Sequence, residues 1–264
     1  MRWLDRILRR SEAEAVAGAD PMADALAAAE AGDYATALRI WTPLAQAGMP
    51  RAQNNIGACF AEGLGVPRNL ELARKWLRLA AEAGDPVGER NYAAFHMQGL
   101  NASDPDYRTA AEYYRRAAEK GDAPAQDMLS WLLLEGEVMP ADPVEARRWA
   151  ESAAAAGIAS SMTRLGMLYH DALGVERDPK RAVDWWRQGA ERGDADAQAM
   201  LGAACHMGAG TARDDVAALA WLIRATNGGS TLARPFIGAV RDSLSPTDAE
   251  EAERRAAEPL SGRA

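Results

Sequence analysis

Apolar residues recur along this chain at helical spacing, and small residues keep fixed places among them. Glycine follows a short alanine-rich run at Gly48, Gly84, Gly121, Gly157, Gly193 and Gly229, at intervals of 36, 37, 36, 36 and 36 residues. Eight residues before each glycine stands a large residue, in order Ile40, Trp76, Tyr113, Trp149, Trp185 and Trp221. Three residues before those lies an alanine: Ala37, Ala73, Ala110, Ala146, Ala182 and Ala218. A small and a large residue paired at i, i+3 give one helix face that can pack closely on a neighbour. Four residues before each alanine comes Asp33, Asn69, Asp106, Asp142, Asp178 or Asp214. Such side chains accept a bond from a free amide of the first turn, so these six predict N-caps, with Pro143 and Pro179 at the favoured first helical position. The glycine at the far end supplies a left-handed stop. The pattern therefore predicts a helix, B, in every period.

A second helix, A, is predicted after each glycine. A small residue stands four positions on (Ala52, Gly88, Ala125, Ser161, Ala197, Ala233), followed by an apolar–small pair such as Ile56-Gly57, Leu165-Gly166, Leu201-Gly202 or Ile237-Gly238. Turns such as Gly63-Leu64-Gly65 and Gly208-Ala209-Gly210 separate A from the next B, and the extra residue of the 37-residue period falls in such a turn, between Gly99 and Asp106. A period in this range is the mark of a helical solenoid. The expected organisation is an N-terminal amphipathic or capping segment over 1–20, a truncated opening repeat over 21–48, five full repeats over 49–229, and a terminal A helix with a C-terminal capping helix over 230–264. Thr247 and Glu250 resemble a capping box opening that last helix, which is expected to reach about Glu258.

These residues carry a family resemblance. The string Ala-Gln-x-x-Leu-Gly, an aromatic, Gly-x-Gly-Val, Asp, Ala-x-x-Trp and Ala-Ala-Glu-x-Gly resembles the Sel-1-like repeat, a relative of the tetratricopeptide repeat. Ala197-Gln198, Leu165-Gly166, Tyr169, Gly65-Val66, Gly174-Val175 and Trp185 are matching pieces, and the likeness runs over roughly residues 21 to 240. Asn101 replaces a turn glycine, and His96, Leu133 and Cys205 occupy the aromatic place. The resemblance implies an all-α fold, a right-handed α/α superhelical solenoid of about five helix-turn-helix repeats, whose A helices line the concave face. Projected onto that face, Arg90 and Asp127 fall in one ladder, and Trp131 and Met167 in the next. A further turn brings Met97, Leu134, His170 and His206, beside Glu135, Asp171 and Met207. An apolar patch of Trp131, Met167, Met97, Leu134 and Met207 with acidic edges marks an interaction site; the same side chains could instead pack between adjacent A helices. The implied function is a non-catalytic scaffold or adaptor holding a protein or peptide partner, including a regulatory or immunity-type inhibitor.

Composition and charge narrow the alternatives. Alanine is abundant, which favours helices, and a net charge of −8 argues against a nucleic-acid partner. Only Cys59 and Cys205 occur, in no ligand or disulfide pattern, and both are expected to be buried packing residues. Some cysteine-rich relatives are described as β-lactam-hydrolysing; this chain lacks their paired cysteines and an S-x-x-K motif, so a β-lactamase-like hydrolase is the lesser alternative and no enzyme is expected. His170 and His206 share one repeat position with Asp171 nearby, which could hold a metal, but the spacing also follows from drift at a tolerant surface site, and neither metal nor cofactor is expected. Trp3, Leu4, Ile7 and Leu8 form one face of an N-terminal helix bearing Arg2, Arg6, Arg9 and Arg10, which fits a solenoid cap as well as a membrane- or partner-docking helix. With no membrane span or signal peptide apparent, the expected location is the cytoplasm.

Overall fold

A computed structural model describes residues 20–98 and 105–260. The N-terminal amphipathic segment and Asn101 lie outside the described residues. Within them the chain is helical, with no strand, and it forms two compact units that divide between Pro105 and Asp106.

The first unit holds α1 (Pro21–Glu30), α2 (Tyr34–Gln46), α3 (Pro50–Glu62), α4 (Leu70–Glu82) and α5 (Pro86–Gln98), each packed on the next. Its core gathers Trp41, Ile56 and Cys59 around the buried alanines Ala25, Ala37, Ala45 and Ala52. The second unit holds α6 (Tyr107–Glu119), α7 (Ala123–Glu135), α8 (Pro143–Ala155), α9 (Ala159–Asp171), α10 (Pro179–Glu191), α11 (Ala195–Met207), α12 (Asp215–Asn227), α13 (Arg234–Asp242) and α14 (Pro246–Ala257). Leu165, Leu168, Val183, Trp186, Leu201 and Leu222 are among its buried residues. Odd-numbered helices up to α13 are A helices and the even-numbered ones up to α12 are B helices.

The six predicted caps all form. Each Asx side chain accepts from the amide three residues on, at 2.9 or 3.0 Å: Asp33 from Thr36, Asn69 from Leu72, Asp106 from Thr109, Asp142 from Glu145, Asp178 from Arg181 and Asp214 from Ala217. A cap of this kind is worth about 1 kcal/mol. The six period glycines have φ between 81° and 92°, which closes each B helix with the left-handed residue that an L side chain resists. The A helices have caps that the sequence pattern did not single out. Asp85, Asp122 and Asp194, each directly after a period glycine, accept from Gly88, Ala125 and Ala197 at 2.7, 2.9 and 2.8 Å.

Two details depart from expectation. On the B helices the large residues Trp76, Tyr113, Trp149, Trp185 and Trp221 are only half-buried, while the residues that follow them include the buried Leu77, Tyr114, Trp186 and Leu222. The i+4 position lies closer to the direction of the buried alanine than i+3 does, so it goes deeper. The last helix begins two residues earlier than Thr247: Ser245 is its cap, accepting from the Asp248 amide at 3.2 Å, and Pro246 takes the first helical position. Helix α14 packs against α12, and the Arg224 guanidinium closes its far end on the Arg255 and Glu258 carbonyls, both at 2.5 Å.

Candidate binding groove on the second unit

Short loops make successive helices alternate in direction, so α7, α9 and α11 run the same way. Trp131 and Met167 occupy the ninth position of α7 and α9, one repeat apart, and remain 39% and 43% exposed. Beside them lies a groove of about 450 Å³. Leu134, Leu168 and Leu173 add apolar lining, while Ser160, Thr163, Arg164, Glu135, Asp194 and Asp196 supply its polar atoms.

A polar lattice fixes the helices that form this groove. Asp127 on α7 accepts from Ser160 at 3.0 Å and from Ser161 and Arg164 on α9, both at 2.5 Å. Arg164 is thus an anchor between consecutive A helices, with its charge met by Asp127. The Thr163 hydroxyl donates to Asp194 at 2.8 Å, and the Ser230 hydroxyl to Asp196 at 2.6 Å. Buried glutamines tie the A helices to the B helices before them. Gln126 donates to the Ala118 carbonyl and Gln198 to that of Ala190, each at 3.1 Å.

The projected residues have different surroundings. Trp131, Leu134, Glu135 and Met167 line the groove, and Asp127 braces it from behind through Arg164. Asp171 and Met207 are exposed but lie outside that lining. His170 pairs through Nδ1 with Asp171 Oδ1 at 2.6 Å and leans on Trp186 of α10, with ring centroids 5.6 Å apart. His206 pairs instead with Asp215 at the start of α12, at 2.7 Å. The two histidines therefore serve different carboxylates. Among the described residues no group of three or more His, Cys, Asp or Glu is gathered in a metal-binding arrangement. Asp215 also accepts from Arg213 and Ser243, and the adjoining Arg213 guanidinium above all draws its pKa down to about 2. Arg90 and Met97 are half-buried on α5, in the first unit. That unit has a smaller cleft of about 180 Å³, walled by Ala58, Ala61 and Ala94 with Asn91, Glu62 and Gln98. Both cysteines are buried and free, and burial pushes the Cys59 thiol up to about 11.

Sequence reasoning missed Ser160, Arg164, Asp194 and Asp196. A signal for Arg164 exists: it lies 37 residues after Asp127, the separation at which Asn91 donates to Asn54 at 2.8 Å in the first unit. Inward polar residues of one A helix are held by the next residue of the following repeat.

Stacked, capped helix pairs of this kind define an α-helical repeat protein. The Sel1 repeat model matches residues 50–85, 86–122, 123–158, 159–194 and 195–230, and the chain belongs to the Sel1 repeat family. It has the all-α superhelical repeat fold of that family, whose members generally act as protein-interaction scaffolds and typically are not enzymes. A Sel1 repeat protein from Oxalobacter formigenes is 30% identical, with 91% of this chain and 98% of that one covered and a TM-score of 0.79. The protein c5321, a protective antigen present in uropathogenic Escherichia coli strains and displaying an SLR fold, is 27% identical. The match covers 85% of this chain and 48% of that one, with a TM-score of 0.79. None of the curated proteins matches the chain. Among the described residues no helix is long and apolar enough to cross a membrane.

Proposed function

We propose that this chain is a non-catalytic adaptor that holds a protein or peptide partner on the A-helix face of its second unit, in the manner of a regulatory or immunity-type binder. The observation that carries this reading is the pair Trp131 and Met167, two large apolar side chains left exposed at equivalent positions of neighbouring helices beside an open groove. Leaving them in water has a cost that burial against a partner recovers. Aromatic anchors set in such grooves dominate binding energies, and a flexible methionine adapts the surface to its ligand.

The test is affinity capture with wild type and Trp131→Ala, followed by titration of the captured partner. Loss of the anchor is expected to weaken binding by about 2 kcal/mol, roughly thirtyfold, with unchanged helical circular dichroism. Equal affinity in the two proteins refutes the reading.

A further inference from the structure

We infer that the groove selects a segment in which an apolar anchor is flanked by lysine or arginine. This rests on the binding reading above and adds the chemistry of the partner. The apolar centre is formed by Trp131, Met167 and Leu134. Carboxylates stand to either side: Glu135 ends α7, while Asp194 and Asp196 open α11. Helices of 13 residues place those two ends about 18 Å apart along the helix direction, close to five or six residues of an extended chain.

The charge on this lining is unbalanced. Arg164 is its one cation, and that charge is engaged by Asp127 at 2.5 Å. Among the described residues no Lys or Arg forms an ion pair with Glu135, Asp194 or Asp196. The hydroxyl of Thr163 and the amide of Ala197 both reach Asp194 at Oδ1, and the hydroxyl of Ser230 reaches Asp196 at Oδ1. Those donors are neutral and leave the net negative charge in place. An acidic or neutral segment seated on Trp131 would bring its own charge against three carboxylates or leave them facing an apolar surface. A basic one meets them at both ends, which steers its approach and fixes its register.

Short random peptides displayed on phage are selected on the full chain and counter-selected on Trp131→Ala. The peptides retained should carry Lys or Arg on both sides of an aromatic or aliphatic residue. A synthetic representative should bind Glu135→Lys/Asp196→Lys about tenfold more weakly than wild type, with most of its salt dependence gone. The uncharged pair Glu135→Gln/Asp196→Asn should lie between, and circular dichroism checks the fold of both. Retained peptides that depend on Trp131 but are neutral or acidic, or that bind the charge-reversed protein equally, overturn the inference and leave the binding reading intact. No Trp131-dependent peptide at all overturns the binding reading itself. Self-association of wild type that Trp131→Ala abolishes replaces the basic segment with a second copy of the chain.

Discussion

Alanine in place of Gly166 and alanine in place of Gly238 should shift stability in opposite directions, although both glycines close the apolar–small pair of an A helix. A Cβ on Gly166 would lie 2.1 Å from Trp186 Nε1 and 2.3 Å from its Cδ1. The indole is 3% exposed and donates to the Thr163 carbonyl at 3.2 Å, so it has little room to retreat without losing that bond. Overpacking costs about 1–3 kcal/mol and the lost bond about 1, against a helix-propensity gain of about 1. Gly166→Ala should therefore destabilise by roughly 1–3 kcal/mol. At Gly238 a Cβ would meet nothing within 4 Å, so only the propensity gain remains and Gly238→Ala should stabilise by about 0.5–1 kcal/mol. Thermal and urea unfolding followed by circular dichroism resolve both, since 1 kcal/mol corresponds to about 2–4 °C for a chain near this size. In a double-mutant cycle, Trp186→Ala should erase most of the penalty at Gly166. A neutral or stabilising Gly166→Ala, or a loss at Gly238 comparable to that at Gly166, would refute the account of helix contact through missing side chains.

Two further outcomes follow from single contacts. Ala172 ends α9 at φ 59°, where α3, α7 and α11 end on Gly63, Gly136 and Gly208, so Ala172→Gly should raise the stability by about 1 kcal/mol and the unfolding midpoint with it; an unchanged midpoint counts against strain there. Asp215 has its folded pKa lowered to about 2, so its contribution is complete above the ordinary carboxylate value near about 4 and disappears as pH falls toward about 2. Asp215→Asn should be less stable than wild type at neutral pH, and the gap should close across that window. Urea midpoints measured down the pH scale check this, and a gap constant with pH contradicts it.

The local framework of the fold was legible because backbone demands recur at every period. An Asx side chain must meet the third amide of a helix, and a residue with positive φ must end it, so Asp142 or Gly157 can be recognised without knowing any neighbour. The caps Asp122 and Asp194 obey the same rule and were equally open to recognition in their Gly-Asp pairs. The groove was legible only in part. Trp131 and Met167 follow from helical register once the family resemblance has said which helices line the face, whereas Arg164 enters through a partner on another helix, Asp127, and Asp196 through the neighbouring start of α11. His170 and His206 show the opposite difficulty. They share a register, yet the side chain of one turns to Asp171 and the other to Asp215, because a rotamer answers to the nearest carboxylate and not to the repeat.

The second glycine of the A–B turn gives the array a property useful to a protein engineer. A Cβ on Gly174 would sit 2.8 Å from the Pro143 carbonyl carbon, and one on Gly210 would sit 2.1 Å from the Pro179 oxygen, so each turn is seated on the opening of the preceding B helix. Both openings are Asp-Pro, at Asp142-Pro143 and Asp178-Pro179. Excising residues 159–194, one matched repeat, would deliver Gly210 to the Pro143 seat that Gly174 leaves. These two joints thus carry matching parts, and removing the single period between them should leave a seam of the same kind.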